Sequence, residues 1–385
     1  MLRVSFDHIS GFPCRAEALE AMLPWFREKS SGTGAVHSGG VEARAALDDA
    51  REKAATFLGA SSPEEIIFTS SGTEALNLAV KGCAFASQRR GKHIVLSAIE
   101  HPAVLQSVEF LEGLGFTNAR LPVSKEGRID PAALREALTA ETTLVCVHAG
   151  HHDIGTIQDL AKIGEIVADH GAALLVDATY AGGWMPLSAG VGEPSFMALA
   201  PHRLGGPKGV GVLYKQRRAR LSPWIHGGAQ ELGWRAGTEN VPGIVGTGVA
   251  LELASRDAAE RIERVGGLQK RMWDGIRERI SEVILNGESL GVSRLPNSLN
   301  VSFAGLEGEG LALSLDMKGF TVTSAQACAT KASKVPPVLA ALGVPERYGP
   351  GTIILSFGPE NTGAEVDRFL EILPDVVKRL RAMEA

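Results

Sequence analysis

The sequence predicts an α/β layer sandwich built on a mostly parallel sheet, followed by a smaller α+β unit. Two observations carry this prediction. Short β-branched runs alternate with longer amphipathic stretches through the first two thirds of the chain, the repetition that buries a parallel sheet between helices. After a glycine-rich stretch at 226–246 the pattern changes to one long helical segment and then to strand-like runs mixed with helices. The strands of the first part are expected at 66–69, 93–97, 143–148, 172–177, 196–199 and 210–214. Helices are expected at 43–58, 74–86, 103–113 and 159–169, the last closed by Gly171. The second part reads as one helix over about 249–280, strands at 298–303, 319–324 and 352–356, and a closing helix at 364–383. The organisation expected is a large domain of residues 15–259 and a small one made of 1–14 and 260–385.

Composition bounds the function. At about 150 residues per domain, 385 residues can bury a sizeable core without staples. Hydrophobic residues at 44% and charged residues at 22% exclude a disordered or fibrous chain. Lys and Arg total 39 against 44 Asp and Glu, and the basic pairs Arg89-Arg90 and Arg217-Arg218 are isolated, which argues against nucleic-acid or anionic-membrane partners. Cys14, Cys83, Cys146 and Cys328 are scattered without a CxxC pair, so neither a disulfide framework nor a Cys-rich zinc site is indicated. With no leader and no apolar run of the roughly 18 residues that span a bilayer, a cytoplasmic location is expected.

Four segments carry candidate chemistry. Thr69-Ser70-Ser71-Gly72-Thr73-Glu74 lies at a strand-to-helix junction, where free backbone N–H groups suit a phosphate; Ser71 and Glu74 also have capping-box spacing, which a plain helix cap would explain. Asp177 ends an apolar strand and is followed by His202-Arg203 and the loop Gly205-Gly206-Pro207-Lys208-Gly209. Ligands collect at such strand ends, although a lone strand-ending Asp also serves as a turn former. His226-Gly227-Gly228 and Arg235-Ala236-Gly237-Thr238-Glu239-Asn240 form a polar glycine loop that reads equally as an interdomain connection. Cys328 stands in a small-residue loop, where a thiol is either an inert small hydrophobe or, with a lowered pKa, a nucleophile.

Taken together and in this order, these segments resemble the fold type I pyridoxal-phosphate enzymes, and within them the class V aminotransferase group, cysteine desulfurases most of all. The resemblance extends to Asp7, Pro13, the helix from Ser38 to Arg51, Glu100-His101 and Ile154-Gly155-Thr156. It implies a phosphate held on Gly72 and Thr73, with Thr238 reaching in from the other subunit of a homodimer. It implies His101 stacked on the pyridine ring, Asp177 paired with the ring nitrogen, His202 beside the cofactor, and Cys328 as the thiol that takes sulfur from substrate cysteine.

The departures fall on the chemical half of that site. Where the group has its Schiff-base lysine this sequence has Arg203, whose guanidinium, with a pKa above about 12, is no free amine nucleophile. Ala200 replaces a phosphate-binding Ser, Tyr180 a Gln, and His151-His152 an Asn pair, and Ile354 stands where an Arg would hold the substrate carboxylate. Lysine-linked catalysis is therefore not expected. Three alternatives follow: an enzyme holding pyridoxal or pyridoxamine phosphate non-covalently, a non-catalytic homologue associating with a desulfurase or sulfur acceptor, or a His-rich cavity repurposed for a metal or another ligand, with His8 and His152 as the added ligands.

Overall fold

The computed structural model describes residues 3–325 and 335–384. The first strands are β1 (Val4–Ser5), β2 (Ile66–Thr69), β3 (His93–Ser97), β4 (Thr117–Leu121), β5 (Thr142–His148), β6 (Ala173–Asp177), β7 (Phe196–Leu199) and β8 (Gly211–Lys215). All but β1 form one seven-stranded sheet in the order β2-β8-β7-β6-β5-β3-β4. Its pairings are parallel except those of β8, which runs antiparallel to β2 and β7. Strands such as β5 and β6 are near-continuously apolar because both of their faces are covered. Side chains alternate between two cores: Val145, Val147, Leu174 and Val176 pack on one face, and Leu144, Cys146 and Leu175 on the other.

The helices of this part are α1 (Ala16–Arg27), α2 (Ser38–Leu58), α3 (Gly72–Ser87), α4 (Pro102–Glu112), α5 (Pro131–Ala137), α6 (Leu160–His170), α7 (Val241–Arg256) and α8 (Ala258–Arg279). Helix α6 starts on Asp159, which accepts from Lys162 N, and stops at Gly171 in the left-handed region with φ 78°. Strands β9 (Val283–Leu285), β10 (Ser298–Phe303), β11 (Phe320–Thr321), β12 (Thr323–Ser324) and β13 (Thr352–Ser356) follow. An antiparallel sheet β12-β13-β10-β9 forms, while β11 pairs with β1. The N-terminal segment is tied there too, since Ser356 Oγ accepts from the backbone N–H of His8 and Ile9.

Two expectations need correction, and one strand of the sheet goes unread in the sequence. The single helix over 249–280 begins at Val241 and is parted at Asp257 (φ −93°, ψ 5°) into α7 and α8. Arg261 takes the carbonyls of Ala254 and Gly183 at the break, and Asp257 receives Arg15 and Arg256. The run 319–324 is two strands, because Thr321 pairs with Ser5 whereas Thr323 pairs with Ile354. Strand β4 was not anticipated: it is the sheet edge, and its Thr, Asn and Arg leave no strict alternation to read.

The geometry also fixes the glycine-rich connection. Arg51, in α2, donates to both carboxylate oxygens of Glu231 at 2.8 and 2.9 Å, and Glu231 accepts from Phe68 N of β2 at 2.8 Å. Both side chains are buried, so removing one leaves the other charged and unpaired. Glu231→Ala is expected to cost about 3–5 kcal/mol, read as a lowered urea midpoint; a midpoint equal to the parent's contradicts this account.

Candidate functional site

The predicted residues meet at the carboxyl ends of β2, β3, β5, β6 and β7, the side of an open α/β sheet where ligands bind. At the end of β2, Ser71 caps α3 by accepting from Glu74 N at 3.1 Å. The capping box is only half made, because the Glu74 carboxylate reaches back to Ser70 N at 2.8 Å rather than to Ser71 N. Arg235 holds the same carboxylate at 2.9 Å. Burial pushes Glu74 up, but Arg235 and Ser70 outweigh it and hold the carboxyl below its usual range. The N–H groups of Gly72 and Thr73 find no acceptor among the described residues. A Cβ on Gly72 would lie 2.8 Å from Thr179 and 3.3 Å from Ala200, so this helix end abuts the segments leaving β6 and β7.

Asp177 is buried at the end of β6, and its Oδ1 accepts from Thr179 N and Oγ1 at 2.9 and 2.6 Å. His101 precedes α4, with Nδ1 accepting from Ala103 N at 3.1 Å, which assigns the ring proton to Nε2. Burial depresses the His101 pKa; Asp177 opposes this and Arg203 adds to it. Behind His101 runs a row of imidazoles. His152 meets its ring at 5.2 Å, His151 stacks on His152 at 4.5 Å, and His148 abuts His151 at 4.9 Å. His151 is fixed at both nitrogens, Nε2 donating to Ile99 O at 2.8 Å and Nδ1 accepting from Asp153 N at 3.1 Å. His148 Nδ1 lies 2.7 Å from Glu100, which also accepts from Ser97 Oγ at 2.7 Å.

Arg203 follows β7 in a single turn, with its guanidinium 5.1 Å over the Tyr180 ring. Its Nε and Nη1 are enclosed and have no hydrogen-bond partner among the described residues. Burial lowers the Arg203 pKa, against the pull of Tyr180, Asp177 and Asp153. His202 is pushed down to about 4 by burial and by Arg203 and Lys208, and its carbonyl accepts from Phe12 N at 2.9 Å. Lys208 is exposed on the glycine loop, so it brings no amine into the enclosed site. Burial raises the Tyr180 phenol to about 12, and its hydroxyl lies near Ser298 without a well-formed hydrogen bond. Ile354 is buried in β13 opposite Asn300 and Thr323.

His8 and His152 are not brought together as metal ligands. His8 stacks on Phe12 at 5.0 Å and packs on Gly358, whereas His152 belongs to the row behind His101. Among the described residues no group of three His, Cys, Asp or Glu side chains is arranged to hold a metal. Thr238 is exposed and lines a cavity of about 90 Å³ with Thr69 and Ser70, without a hydrogen bond to Gly72 or Thr73 of its own chain. Cys328 lies outside the described residues. Sequence reasoning missed Asp153 as a site group, a buried carboxyl raised by burial and partly offset by His151, His101 and Arg203. Its only signal was its position directly after the His pair.

The class V aminotransferase model matches residues 13–369. The chain belongs to that family. Among its relatives are proteins named cysteine desulfurase IscS from Dictyoglomus turgidum, 40% identical over 99% of this chain and 96% of the relative, and from Methanosarcina thermophila, 41% identical over 99% and 93%. A solved NifS-like protein superposes with TM-score 0.92 at 34% identity, covering 98% of this chain and all of that one. The fold is thus that of the fold type I pyridoxal-phosphate enzymes. For the family's cofactor the fit is divided. The free N–H groups on α3, His101 and Asp177 suit a phosphorylated pyridine, while the enclosed Arg203, whose Nε and Nη1 have no partner among the described residues, is a guanidinium and offers no free amine for a covalent bond. Among the described residues no helix is long and apolar enough to cross a membrane.

His101, His151, His152 and His202 all have pKa values lowered in the fold, mainly by burial. They stay neutral in the fold while the unfolded chain takes up protons near 6.5, so their contribution is present above that pH and is lost as pH falls toward about 4. Urea midpoints are expected to decline through this window, and a flat profile would contradict the assignment.

Proposed function

We propose that the chain is a cysteine desulfurase-like sulfur-transfer homologue that holds a pyridoxal-phosphate cofactor reversibly, without a bond to lysine. The observation that carries this reading is Arg203, an enclosed cation beside otherwise suitable cofactor contacts. Bound pyridoxal phosphate supplies an electron sink. The N–H groups of Gly72 and Thr73 would take its phosphate, aided by the helix dipole. Asp177 would hold the proton on the pyridine nitrogen, oriented by its two bonds from Thr179. His101 would cover the ring. Arg203 remains protonated and favours the aldehyde form of the cofactor over the amine form, whose ammonium it would repel. The exposure of Thr238 supports a homodimer in which this hydroxyl serves the neighbouring subunit's phosphate site. Cys328 is the thiol assigned to sulfur.

A second reading, a non-catalytic homologue acting on a desulfurase or sulfur acceptor, is favoured by one observation. Buried Ile354 offers a substrate carboxylate no cation on β13.

Borohydride reduction of the wild-type protein saturated with pyridoxal phosphate is expected to leave no cofactor mass on the chain, while absorbance reports binding of the free aldehyde. Arg203→Lys is expected to gain a reducible adduct at that position. A stoichiometric adduct on any wild-type lysine, or no binding at all, overturns the proposal.

A further inference from the structure

The end of α3 that the cofactor reading gives to a phosphate already holds an anion. Glu74 stands in the first turn of that helix, and both of its carboxylate oxygens are engaged. Oε1 accepts from Arg235 Nε at 2.9 Å, while Oε2 accepts from Ser70 N at 2.8 Å and from Arg235 Nη2 at 3.4 Å. The Glu74 side chain is 13% exposed and that of Arg235 21%. Water therefore screens the carboxylate poorly, and a second anion on the N–H groups of Gly72 and Thr73 would feel its charge. The two anions would also share one positive helix end.

Arg235 removes this conflict, and it comes from outside the helix. It belongs to the glycine-rich connection and lines the cavity of about 90 Å³ together with Ser70 and Thr238. Earlier in the same connection Glu231 is fixed by Arg51 and Phe68 N, so the guanidinium is delivered to Glu74 by a segment already tied to α2 and β2. The other carboxylates in its field are engaged elsewhere, Glu231 with Arg51 and Glu239 with Thr33. A helix cap would need only the bond from Ser70 N to Glu74. The arginine, 161 positions away, is not required for that bond; what it adds is charge.

We propose that Arg235 is a positioning residue of the phosphate site, acting through Glu74: it cancels the carboxylate's charge and so leaves the Gly72 and Thr73 N–H groups free to donate to a phosphate dianion. This rests on the cofactor reading. A pair that served only to hold the connection in place would weaken binding on loss of either partner, and most on loss of both. A charge-cancelling pair gives opposite signs for its two members, and removing both restores what removing the arginine takes away.

The test is absorbance titration with pyridoxal phosphate at about pH 8, where its phosphate is a dianion. The full-length parent is compared with Arg235→Met, Glu74→Gln and the double variant. Arg235→Met is expected to lower affinity by about tenfold or more, because it leaves a poorly screened carboxylate beside the ligand. Glu74→Gln is expected to bind at least as tightly as the parent. The double variant is expected to return to within about threefold of the parent. Glu74→Gln keeps an acceptor for Ser70 N and retains the arginine, so it decides the sign even if Arg235→Met fails to fold. A smaller loss in Arg235→Met, weaker binding by Glu74→Gln, or a larger residual loss in the double variant overturns the proposal and leaves the cofactor reading standing. Absence of binding to the parent overturns the cofactor reading, and this proposal with it.

Discussion

A guanidinium whose enclosed Nε and Nη1 meet no acceptor among the described residues is the constraint around which this site is organised. Burying an unpaired cation costs several kcal/mol, and the surroundings of Arg203 offset that only in part, through the Tyr180 ring and the fields of Asp177 and Asp153. The same charge acts outward. Burial does most to keep His101, His152 and His202 neutral, and the fixed charge of Arg203 adds to it at each of the three. Family membership accounts for the scaffold; this one side chain places an enclosed positive charge within it.

The scaffold reaches that position through two carboxylates in or against the glycine-rich connection. Glu231 ties it to α2 and β2, and Glu74 receives Arg235 at the first turn of α3. Because both pairs engage elements that lead into Gly72 and Thr73, the connection is clamped on either side of the segment bearing Thr238. An exposed hydroxyl is thereby presented from a rigid base.

Much of this was legible in the sequence, for physical reasons that also mark where reading stops. Strands such as β5 and β6, apolar along their whole length, declare a sheet covered on both faces, and residues at their ends, Asp177 and His101 among them, declare the site. The break at Asp257 did not declare itself, because it is stabilised by Arg261 reaching Gly183, far away in the chain. The Arg51–Glu231 pair spans 180 positions and leaves no local pattern. His8 and His152 looked alike as added imidazoles, yet they pack in different neighbourhoods. At position 203 the resemblance leads one to expect a lysine, but only the fold reveals that Nε and Nη1 of the arginine there meet no partner among the described residues.

The imidazoles behind His101 have a consequence of their own. A line of touching rings resembles a conduit for proton hopping, but His151 has both nitrogens committed to main-chain atoms, one as donor and one as acceptor, so it can neither receive a proton on one side nor release it on the other. The line is broken in its middle. Glu100 and His148 lie beyond that break, so the rings offer no relay that carries a proton from them to the sheet's open edge.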